Sequence, residues 1–594
     1  MLGRVLLVAT CAAWVAGCGP GPAPTTPDDL AGRVVRLADD YVAQYFKRVP
    51  ESGTRRGIPG AEHDRIVDNS LGAVAGWRLR EDGWLRELRA IDPEPLIGRP
   101  EWITYGLLRE LLEDSVASRI CRGELWRISS ANPGWQAAYA GLARIQPVGS
   151  DERRADAMAR ARALPRFVRT EVVNLREGLR QGYTASVATV DAVVGQLDAI
   201  LALPPERSPF ASPAERDSTP VFRAAYLQTL SEELYPAVRA YREFLVREYR
   251  PRARQAIGVS ANPDGAACYA ASVRRFTTLS RTPSEIYRAG EEQLAAIERQ
   301  MQELAEREFG TRDLAGLLHR LRGDSAFTFR TRAEILERSA AAIVRARDAM
   351  PRWFGRLPEA DVRLEQYPEF QQRAGAAASY SPAPDDNSRP GMFYISTYQP
   401  ERTPRAPVES TAFHEAIPGH HLQSAIASEL RGAHPITRYF VFSGFSEGWA
   451  LYAEQLADEM GLYSGALDRL GMLDARAWRA ARLMLDAGIH TRGWTREQAV
   501  AFLGAHSMAS PALVQGEIDR YISWPGQATA YMIGNLALLE LRREAERRLG
   551  GRFDIREFHD QVLGNGNVTL PIVQQRVESW IESHPDLRSR PRHE

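Results

Sequence analysis

Histidine and glutamate side chains cluster in one short stretch of the chain. His414, Glu415, His420 and His421 lie in the segment HEAIPGHH, and Glu447 opens the segment EGWALYAE. The whole chain has only 11 histidines. Catalytic zinc prefers three ligands drawn from His, Glu and Asp, and it lowers the pKa of a water at its fourth position. The cluster therefore predicts a zinc-dependent hydrolase.

The spacing of the histidines departs from the common HExxH helix, in which the two ligands are four residues apart. Here Pro418 occupies that position, and a straight helix would separate His414 from His420 by about 9 Å along its axis. Pro418 lacks an amide hydrogen and clashes with the preceding turn, so the helix must break there, and Gly419 permits an unusual turn. With these two residues looped out, His420 becomes the second ligand, and His421 remains the alternative.

Two glutamates complete the predicted site. Glu415 follows the first ligand directly, so we expect it to act as general base and later as general acid. Glu447 would be the third ligand, in the first turn of a helix that Ser446 caps and that runs to Met460.

Several segments together resemble the bacterial family of unknown function 885. The resemblance covers nearly all of the chain after the first residues, which are predicted to form a signal peptide. That family is regarded as similar to helical zinc metallopeptidases with a glutamate third ligand, such as thimet-type oligopeptidases and helical carboxypeptidases. The resemblance implies a mainly α fold and a zinc site, and it leaves the substrate open. The segments that carry it are RPGMFY (389–394), HEAIPGHHLQ (414–423), EGWALYAE (447–454), RLMLDAGIH (482–490) and WPGQATAYMIG (524–534).

Peptide hydrolysis also needs hydrogen-bond donors for the developing oxyanion. Tyr531, His490 and Tyr521 are the candidates, and the alternative for each is a role in the core. Tyr531 is preferred because a tyrosine from a late helix does this work in the similar peptidases. Arg482 and Arg520 are candidate clamps for a substrate carboxylate, since a guanidinium binds one bidentately.

Residues Gly391–Tyr398 form the one convincing extended stretch, after a polar turn at Pro382–Pro390. In the similar metallopeptidases, a strand beside the metal helix pairs with the substrate backbone. The resemblance therefore implies that this strand, with Tyr394, binds substrate. The alternative is a short hairpin that fills the core.

The amino terminus predicts export and lipidation. Residues 1–17 combine a positive charge, a short apolar run and small residues before Cys18, as in a bacterial lipoprotein signal peptide. The apolar run is too short to span a bilayer of about 30 Å. Cys18 would carry the lipid and residues 18–29 would form a tether, with a plain secretory signal as the alternative. We expect the body to face the periplasm, anchored in the outer membrane in preference to the inner.

Apart from Cys18, the mature chain would have only Cys121 and Cys268. In an oxidising compartment these two can form a disulfide that ties the first third of the body to its middle. Two buried free thiols are the alternative.

The composition is that of an ordinary globular protein, with 44% hydrophobic and 25% charged residues. Lys+Arg and Asp+Glu both total 75, so the chain has no net positive charge that would attract nucleic acid. Loops are predicted at Pro50–Pro59 and Pro204–Pro213, within a single helical domain over residues 30–594 or two helical halves around a cleft. Apolar residues at helical spacing predict helices over Asp28–Arg48, Leu71–Ile91, Thr104–Leu112, Asp151–Leu179, Ala185–Leu203, Val221–Val246, Pro283–Phe309 and Arg332–Arg347.

These patterns favour a zinc peptidase that cleaves short peptides, with Glu415 taking the proton of a water that the metal activates. Two alternatives remain open. A lipoprotein could bind peptides or partners around a structural metal, and a non-haem iron oxygenase also uses two histidines and a carboxylate. An oxygenase needs no base beside its first ligand, so Glu415 argues against it. The sequence leaves the oligomeric state open.

Overall fold

The computed structural model describes residues 26–130, 134–367, 369, 372, 377–385 and 389–584. Helices make up most of this part of the chain, beside one three-stranded sheet, which confirms the predicted mainly α fold. The predicted signal peptide at 1–17, Cys18 and the tether up to residue 25 lie outside the described residues. Among those described, no helix is long and apolar enough to cross a membrane.

Helix starts follow local capping chemistry. The Thr26 hydroxyl accepts the Asp29 amide hydrogen at 3.2 Å and Asp29 accepts the Thr26 amide hydrogen at 3.1 Å, so the end of the predicted tether is already helical. The helices are α1 (Pro27–Arg48), α2 (Pro50–Arg56), α3 (Leu71–Arg89), α4 (Pro100–Ser118), α5 (Trp135–Ile145), α6 (Asp151–Gln181), α7 (Val187–Leu201), α8 (Ser212–Arg216), α9 (Pro220–Thr229), α10 (Tyr235–Phe244), α11 (Gly265–Thr277), α12 (Pro283–Phe309), α13 (Leu314–Gly323), α14 (Arg332–Ala349), α15 (Val408–Glu415), α16 (His420–Glu429), α17 (Ile436–Tyr439), α18 (Ser443–Glu459), α19 (Ala466–Thr491), α20 (Arg496–Ala505), α21 (Pro511–Ser523), α22 (Ala530–Leu549), α23 (Ile555–Leu563) and α24 (Leu570–Ser583).

The eight predicted helices are present, with end points that differ by a few residues at most termini. The predicted loop at Pro50–Pro59 is wrong over its first part, because Pro50 starts α2 and Gly57 ends it in a left-handed conformation. A proline is well suited to the first turn of a helix, where its missing amide hydrogen leaves no bond unmade. The stretch Pro204–Pro213 is irregular as predicted, apart from one 3-10 turn and the start of α8.

The sheet has the order β1–β3–β2, with β1 at Val362–Gln366, β2 at Ala378–Ser381 and β3 at Gly391–Ile395. β3 pairs in parallel with β1 and antiparallel with β2. Both edges of β3 are therefore occupied. The predicted extended stretch is real, but its expected pairing with a substrate backbone is wrong, because β3 has no free edge.

The polar side chains of the metal motif rest on a large apolar core. Phe413, Phe445 and Trp449 are fully buried in it, directly beside the predicted ligands in sequence. Rigid packing of this kind fixes the direction in which the neighbouring polar side chains point.

A disulfide joins Cys121 to Cys268, with Cα atoms 4.6 Å apart, as the sequence predicted for these two cysteines.

Helices α18 and α22 cross at unusually close range. A Cβ atom on Gly448 would lie 2.5 Å from the carbonyl carbon of Gly534, and one on Gly534 would lie 1.8 Å from the Gly444 carbonyl oxygen. Only glycine fits at these positions. The contact brings the backbone around Glu447 against the start of α22, which carries Tyr531.

Candidate metal centre

The helix that carries His414 ends at Glu415, and a new helix starts at His420, as the proline predicts. A Cβ atom on Gly419 would lie 1.9 Å from the His414 carbonyl oxygen. Gly419 is therefore required by a close approach, whereas its φ of −81° is an ordinary value. The turn brings the His414 and His420 rings to a centroid distance of 4.8 Å. Trp449 holds it by donating its indole hydrogen to the Pro418 carbonyl at 2.9 Å.

Glu447 meets both histidines. Its Oε2 atom lies 3.7 Å from His414 Nε2 and 3.5 Å from His420 Nε2. Ligand atoms of the three residues all lie within 4.8 Å of one another, and we call these residues the metal cluster. Bonds of about 2.1 Å in a tetrahedron would separate neighbouring ligand atoms by about 3.4 Å. The spacing and the donor types therefore fit a zinc ion.

His421, the alternative second ligand, is turned away from this cluster. Its Nε2 lies 3.0 Å from the Ala360 carbonyl oxygen and must donate to it. Its Nδ1 then accepts from the Tyr380 hydroxyl at 3.1 Å. Burial lowers the pKa of His421, which keeps the ring neutral. His421 thus fastens the sheet to the metal helix, and the first choice of His420 agrees with the structure.

Glu454, to which the sequence analysis gave no role, contacts the metal cluster. Its Oε1 accepts a hydrogen from His414 Nδ1 at 2.7 Å, and its Oε2 accepts the Ser410 hydroxyl hydrogen at 2.5 Å. Such a carboxylate fixes the tautomer and the direction of a ligand imidazole. Glu454 comes seven residues after Glu447, so both side chains lie on one face of α18. That spacing was the available signal.

The charges of this site favour a cation. Burial acts to raise the pKa of Glu447, but His414 and His420 hold it well below its usual range. Burial acts to lower the pKa of His414, but hydrogen bonds to Glu447 and Glu454 outweigh it and raise this pKa to about 9. The carboxylates of the buried Glu454 and the partly buried Glu447 thus face the histidines, and the Arg479 guanidinium lies 3.9 Å from Glu454. A divalent ion would balance these charges.

Ser446 does not cap the helix that carries Glu447. The Phe445 and Ser446 amides both donate to the Phe442 carbonyl at 3.0 Å, so α18 starts four residues earlier than predicted. Glu447 consequently lies in the second turn. The Ser446 hydroxyl lies 3.5 Å from His420 Nδ1, next to the metal cluster.

Glu415 is half-buried beside the first ligand and has no hydrogen-bond or ion-pair partner among the described residues. The pKa of Tyr367 is raised, first by burial and then by the negative charge of the Glu415 carboxylate. The Tyr367 ring stacks on that of Tyr394 at a centroid distance of 5.4 Å. Tyr394 therefore lies next to a residue that Glu415 affects, and its contact with substrate stays a prediction. No pattern in the sequence pointed to Tyr367.

Tyr531 interacts electrostatically with Glu447 of the metal cluster. Burial and then the Glu447 carboxylate raise the pKa of its hydroxyl. A hydroxyl with a raised pKa keeps its proton and can donate it to an oxyanion. The Arg482 guanidinium lies 4.3 Å from the centroid of the Tyr531 ring and restrains its orientation.

Residues 50–577 match a family model described as "Bacterial protein of unknown function (DUF885)". The chain belongs to the DUF885 family. No curated protein matches it. Two solved structures are similar, "the putative lipoprotein from Colwellia psychrerythraea" and "a putative lipoprotein of unknown function from Shewanella oneidensis". The first has a TM-score of 0.86 at 24% identity and covers 94% of this chain and 100% of its own. The second has a TM-score of 0.72 at 16% identity and covers 91% and 99%. They show a shared fold.

In this DUF885 chain, His490 is not available as an oxyanion donor. Its Nδ1 accepts the Val259 amide hydrogen at 3.0 Å, and its Nε2 donates to the Tyr521 carbonyl at 3.0 Å. Burial lowers the pKa of His490 to about 3, so the ring is neutral and both nitrogens are in use. The predicted catalytic role is wrong, and His490 joins α19 to two other segments.

Tyr521 is also a structural residue of the DUF885 chain. Its buried hydroxyl donates to Glu517 Oε2 at 2.7 Å and lies within 3.1 Å of two donors, Arg482 Nε and Trp478 Nε1. Arg482 also donates to Glu517, at 2.9 Å, and its side chain is only 6% exposed. The Tyr521 hydroxyl is occupied by these contacts, so its predicted binding role is wrong. The Arg482 Nη1 atom has no hydrogen-bond partner among the described residues, so the role of Arg482 as a carboxylate clamp stays a prediction. Arg520 differs, because its side chain keeps 17% of its surface exposed.

Proposed function

We propose that this protein is a zinc-dependent peptidase that cleaves short peptides. The observation that carries the proposal is the combination of the metal cluster with a glutamate beside it that has no partner among the described residues. A structural zinc site uses all its positions for protein ligands, whereas a catalytic site has three protein ligands and an open position. The three-ligand cluster and the adjacent Glu415 correspond to the catalytic type.

The roles of the residues follow from their positions. Zinc held by His414, His420 and Glu447 would supply a Lewis acid that lowers the pKa of a water and polarises a carbonyl. Glu415 takes a proton from the attacking water and passes it to the leaving amine, which balances the transfer. Tyr531 donates a hydrogen bond to the oxygen on which negative charge develops.

We further propose that the chain is a lipoprotein, lipid-anchored through Cys18 and facing the periplasm, with the outer membrane as its location. The support is the pattern of small residues before Cys18 and the similarity to two proteins that are themselves described as lipoproteins. Globomycin inhibits the peptidase that cleaves lipoprotein signals, so the drug should cause the uncleaved chain to accumulate. A Cys18→Ser chain should fail to incorporate radiolabelled palmitate. Label in that variant would contradict the proposal.

The peptidase is tested with the full chain in detergent, with Glu415→Gln and with exposed Glu401→Gln as the matched control. Metal content is measured by mass spectrometry, and cleavage is measured on a mixed peptide library. We expect about one zinc per chain in all three proteins. Loss of the general base should reduce cleavage by about 10²- to 10⁴-fold, in Glu415→Gln alone.

Cleavage by Glu415→Gln at the control's rate would contradict the mechanism. Zinc in every protein without cleavage of any peptide would instead favour a binding role around a structural metal. Iron in place of zinc would favour the oxygenase alternative.

A further inference from the structure

Two arginines share one carboxylate close to Tyr531. The Nη2 atom of each arginine, Arg482 and Arg520, donates to Glu517 Oε2 at 2.9 Å. We call these three residues the arginine cluster. Burial acts to raise the pKa of Glu517, but the two guanidiniums hold it far below its usual range, so the cluster has a net charge of about +1. An unbalanced charge away from bulk water is costly unless an anion joins it.

The two guanidiniums differ in what they can reach. Arg482 is enclosed by aromatic rings, 4.3 Å from the centroid of Tyr531 and 5.0 Å from that of Trp478. Arg520 is partly exposed, and it donates to both oxygens of Glu517 and to Gln527 Oε1. These contacts use three of its five N–H groups. The two that remain, one on each terminal nitrogen, have no hydrogen-bond partner among the described residues.

Among the described residues, no acid besides Glu517 forms a hydrogen bond or an ion pair with Arg520. Glu447 belongs to the metal cluster. Asp486 already accepts hydrogens from the Tyr269 hydroxyl and the Gly526 amide, and burial raises its pKa to about 7. A carboxylate from outside the protein would complete the arginine cluster with charge-assisted hydrogen bonds.

Gln527 links the arginine cluster to the Tyr531 hydroxyl. It accepts from Arg520, and its side chain hydrogen-bonds the Tyr531 hydroxyl and so acts to lower the pKa of Tyr531. Two hydrogen bonds and one amide group span at most about 8 Å. An extended peptide covers that length with about two residues. A carboxylate on Arg520 would therefore lie one or two residues from a carbonyl held by Tyr531.

We propose that Arg520 binds a substrate carboxylate one or two residues beyond the scissile bond, so that the protein removes one or two residues from the carboxyl ends of short peptides. This inference rests on the proposed peptidase function. The same guanidinium chemistry would accept the side chain of an aspartate or glutamate at that position, and the substrates of the test separate the two sources.

The test measures cleavage of three peptides by the full, zinc-loaded chain. Two share one sequence, and the third differs in its last residue. One has a free carboxyl end, one has a carboxyl-terminal amide, and one has the amide with glutamate as its last residue. Hydrogen bonds between charged groups are worth about 1.5–3 kcal/mol, or roughly 10- to 150-fold. We expect kcat/KM for the free acid to exceed that for the amide by this factor, with release of one or two residues. Rescue by glutamate in the amide would identify the side chain as the source.

Variants assign the effect to Arg520. In Arg520→Lys the preference for the free acid should shrink about tenfold or more, because an ammonium group lacks the planar fork. Exposed Arg547→Gln is the matched control and should keep the preference. Melting temperature is measured for both, and the wild-type comparison of acid and amide does not depend on either variant.

Binding separates this inference from the function beneath it. The Glu415→Gln chain is titrated with the free acid and the amide by calorimetry, which needs no turnover. Tighter binding of the free acid than of the amide supports the inference, even if no peptide is cleaved. A lack of cleavage would contradict the proposed peptidase function and would leave the inference about binding intact. Equal binding together with equal cleavage of acid and amide would overturn the inference and leave the peptidase intact.

Discussion

The metal cluster with the adjacent Glu415 had similar standing in the sequence to a second polar group, His490 on α19 and Tyr521 on α21, since each offered side chains suited to catalysis. In the structure they differ in how their hydrogen bonds are used. Glu415 has no partner among the described residues, whereas both nitrogens of His490 and the hydroxyl of Tyr521 are occupied by the protein itself. A buried polar group that the fold satisfies is typical of structure, and one that the fold leaves open is typical of function.

The largest expected difference is between two neighbouring histidines. His420→Ala should lose zinc, because it removes one of three ligands, and its affinity should fall by more than the roughly 10- to 100-fold typical of an outer partner. His421→Ala should keep zinc and should lose thermal stability, since it leaves Tyr380 and the Ala360 carbonyl without their partner. Competition with a zinc-binding dye gives both affinities. Retention of zinc by His420→Ala would assign the second ligand elsewhere.

The two tyrosines should separate function from stability. Tyr531→Phe removes a donor to the oxyanion and should lower kcat by about 10²- to 10³-fold with a small change in melting temperature. Tyr521→Phe leaves the Arg482 Nε and Trp478 Nε1 donors without an acceptor and should cost about 1–3 kcal/mol of folding free energy, with kcat nearly unchanged. Steady-state kinetics and urea unfolding measure the pair. Similar kcat losses in both variants would remove the distinction.

A smaller effect is expected from Glu454, which supports the metal cluster without belonging to it. Glu454→Gln should weaken zinc binding by about 10- to 100-fold, because His414 loses the carboxylate that orients it. Glu459→Gln, on the same helix and paired with Arg542, is the matched control and should bind zinc as the wild type does. Equal zinc affinities in the two variants would show that packing, and not the Glu454 carboxylate, positions His414.

The sequence predicted the parts of the site that depend on neighbouring residues. Pro418 predicted the break between α15 and α16, and Glu447 was predicted to join the two histidines, which the structure places beside it. The choice between His420 and His421 depends on the Ala360 carbonyl and Tyr380, which no local pattern predicts.

Contacts distant in sequence explain the remaining errors. His490 is bound by Val259, which lies 231 residues away in the chain. Residues 391–395 form a central strand because β1 and β2 pair with it from earlier in the chain, and periodicity alone cannot tell a central strand from an edge strand. Helix positions were predicted well for the opposite reason, since each apolar stripe is a local property.

The smallest predicted effect concerns acid stability and tests the structural role of His490. Its pKa falls from 6.5 in the unfolded chain to about 3 in the folded one because of burial. The unfolded state therefore binds the extra proton between these values, and stability is lost as the pH falls from 6.5 towards 3. The loss amounts to about 1.4 kcal/mol per pH unit. Asp486, whose pKa is raised to about 7, acts in the opposite direction, so the total pH dependence is not informative.

The difference between wild type and His490→Gln isolates the histidine. A glutamine amide can still accept from Val259 and donate to the Tyr521 carbonyl, but it cannot take up the proton. Relative to wild type, the variant should gain about 2 kcal/mol between pH 6.5 and pH 5 in urea unfolding. The gain should be the same with added zinc and with a chelator, because His490 lies outside the metal cluster. A gain that disappears with the chelator would link His490 to the metal and return it to the candidate site.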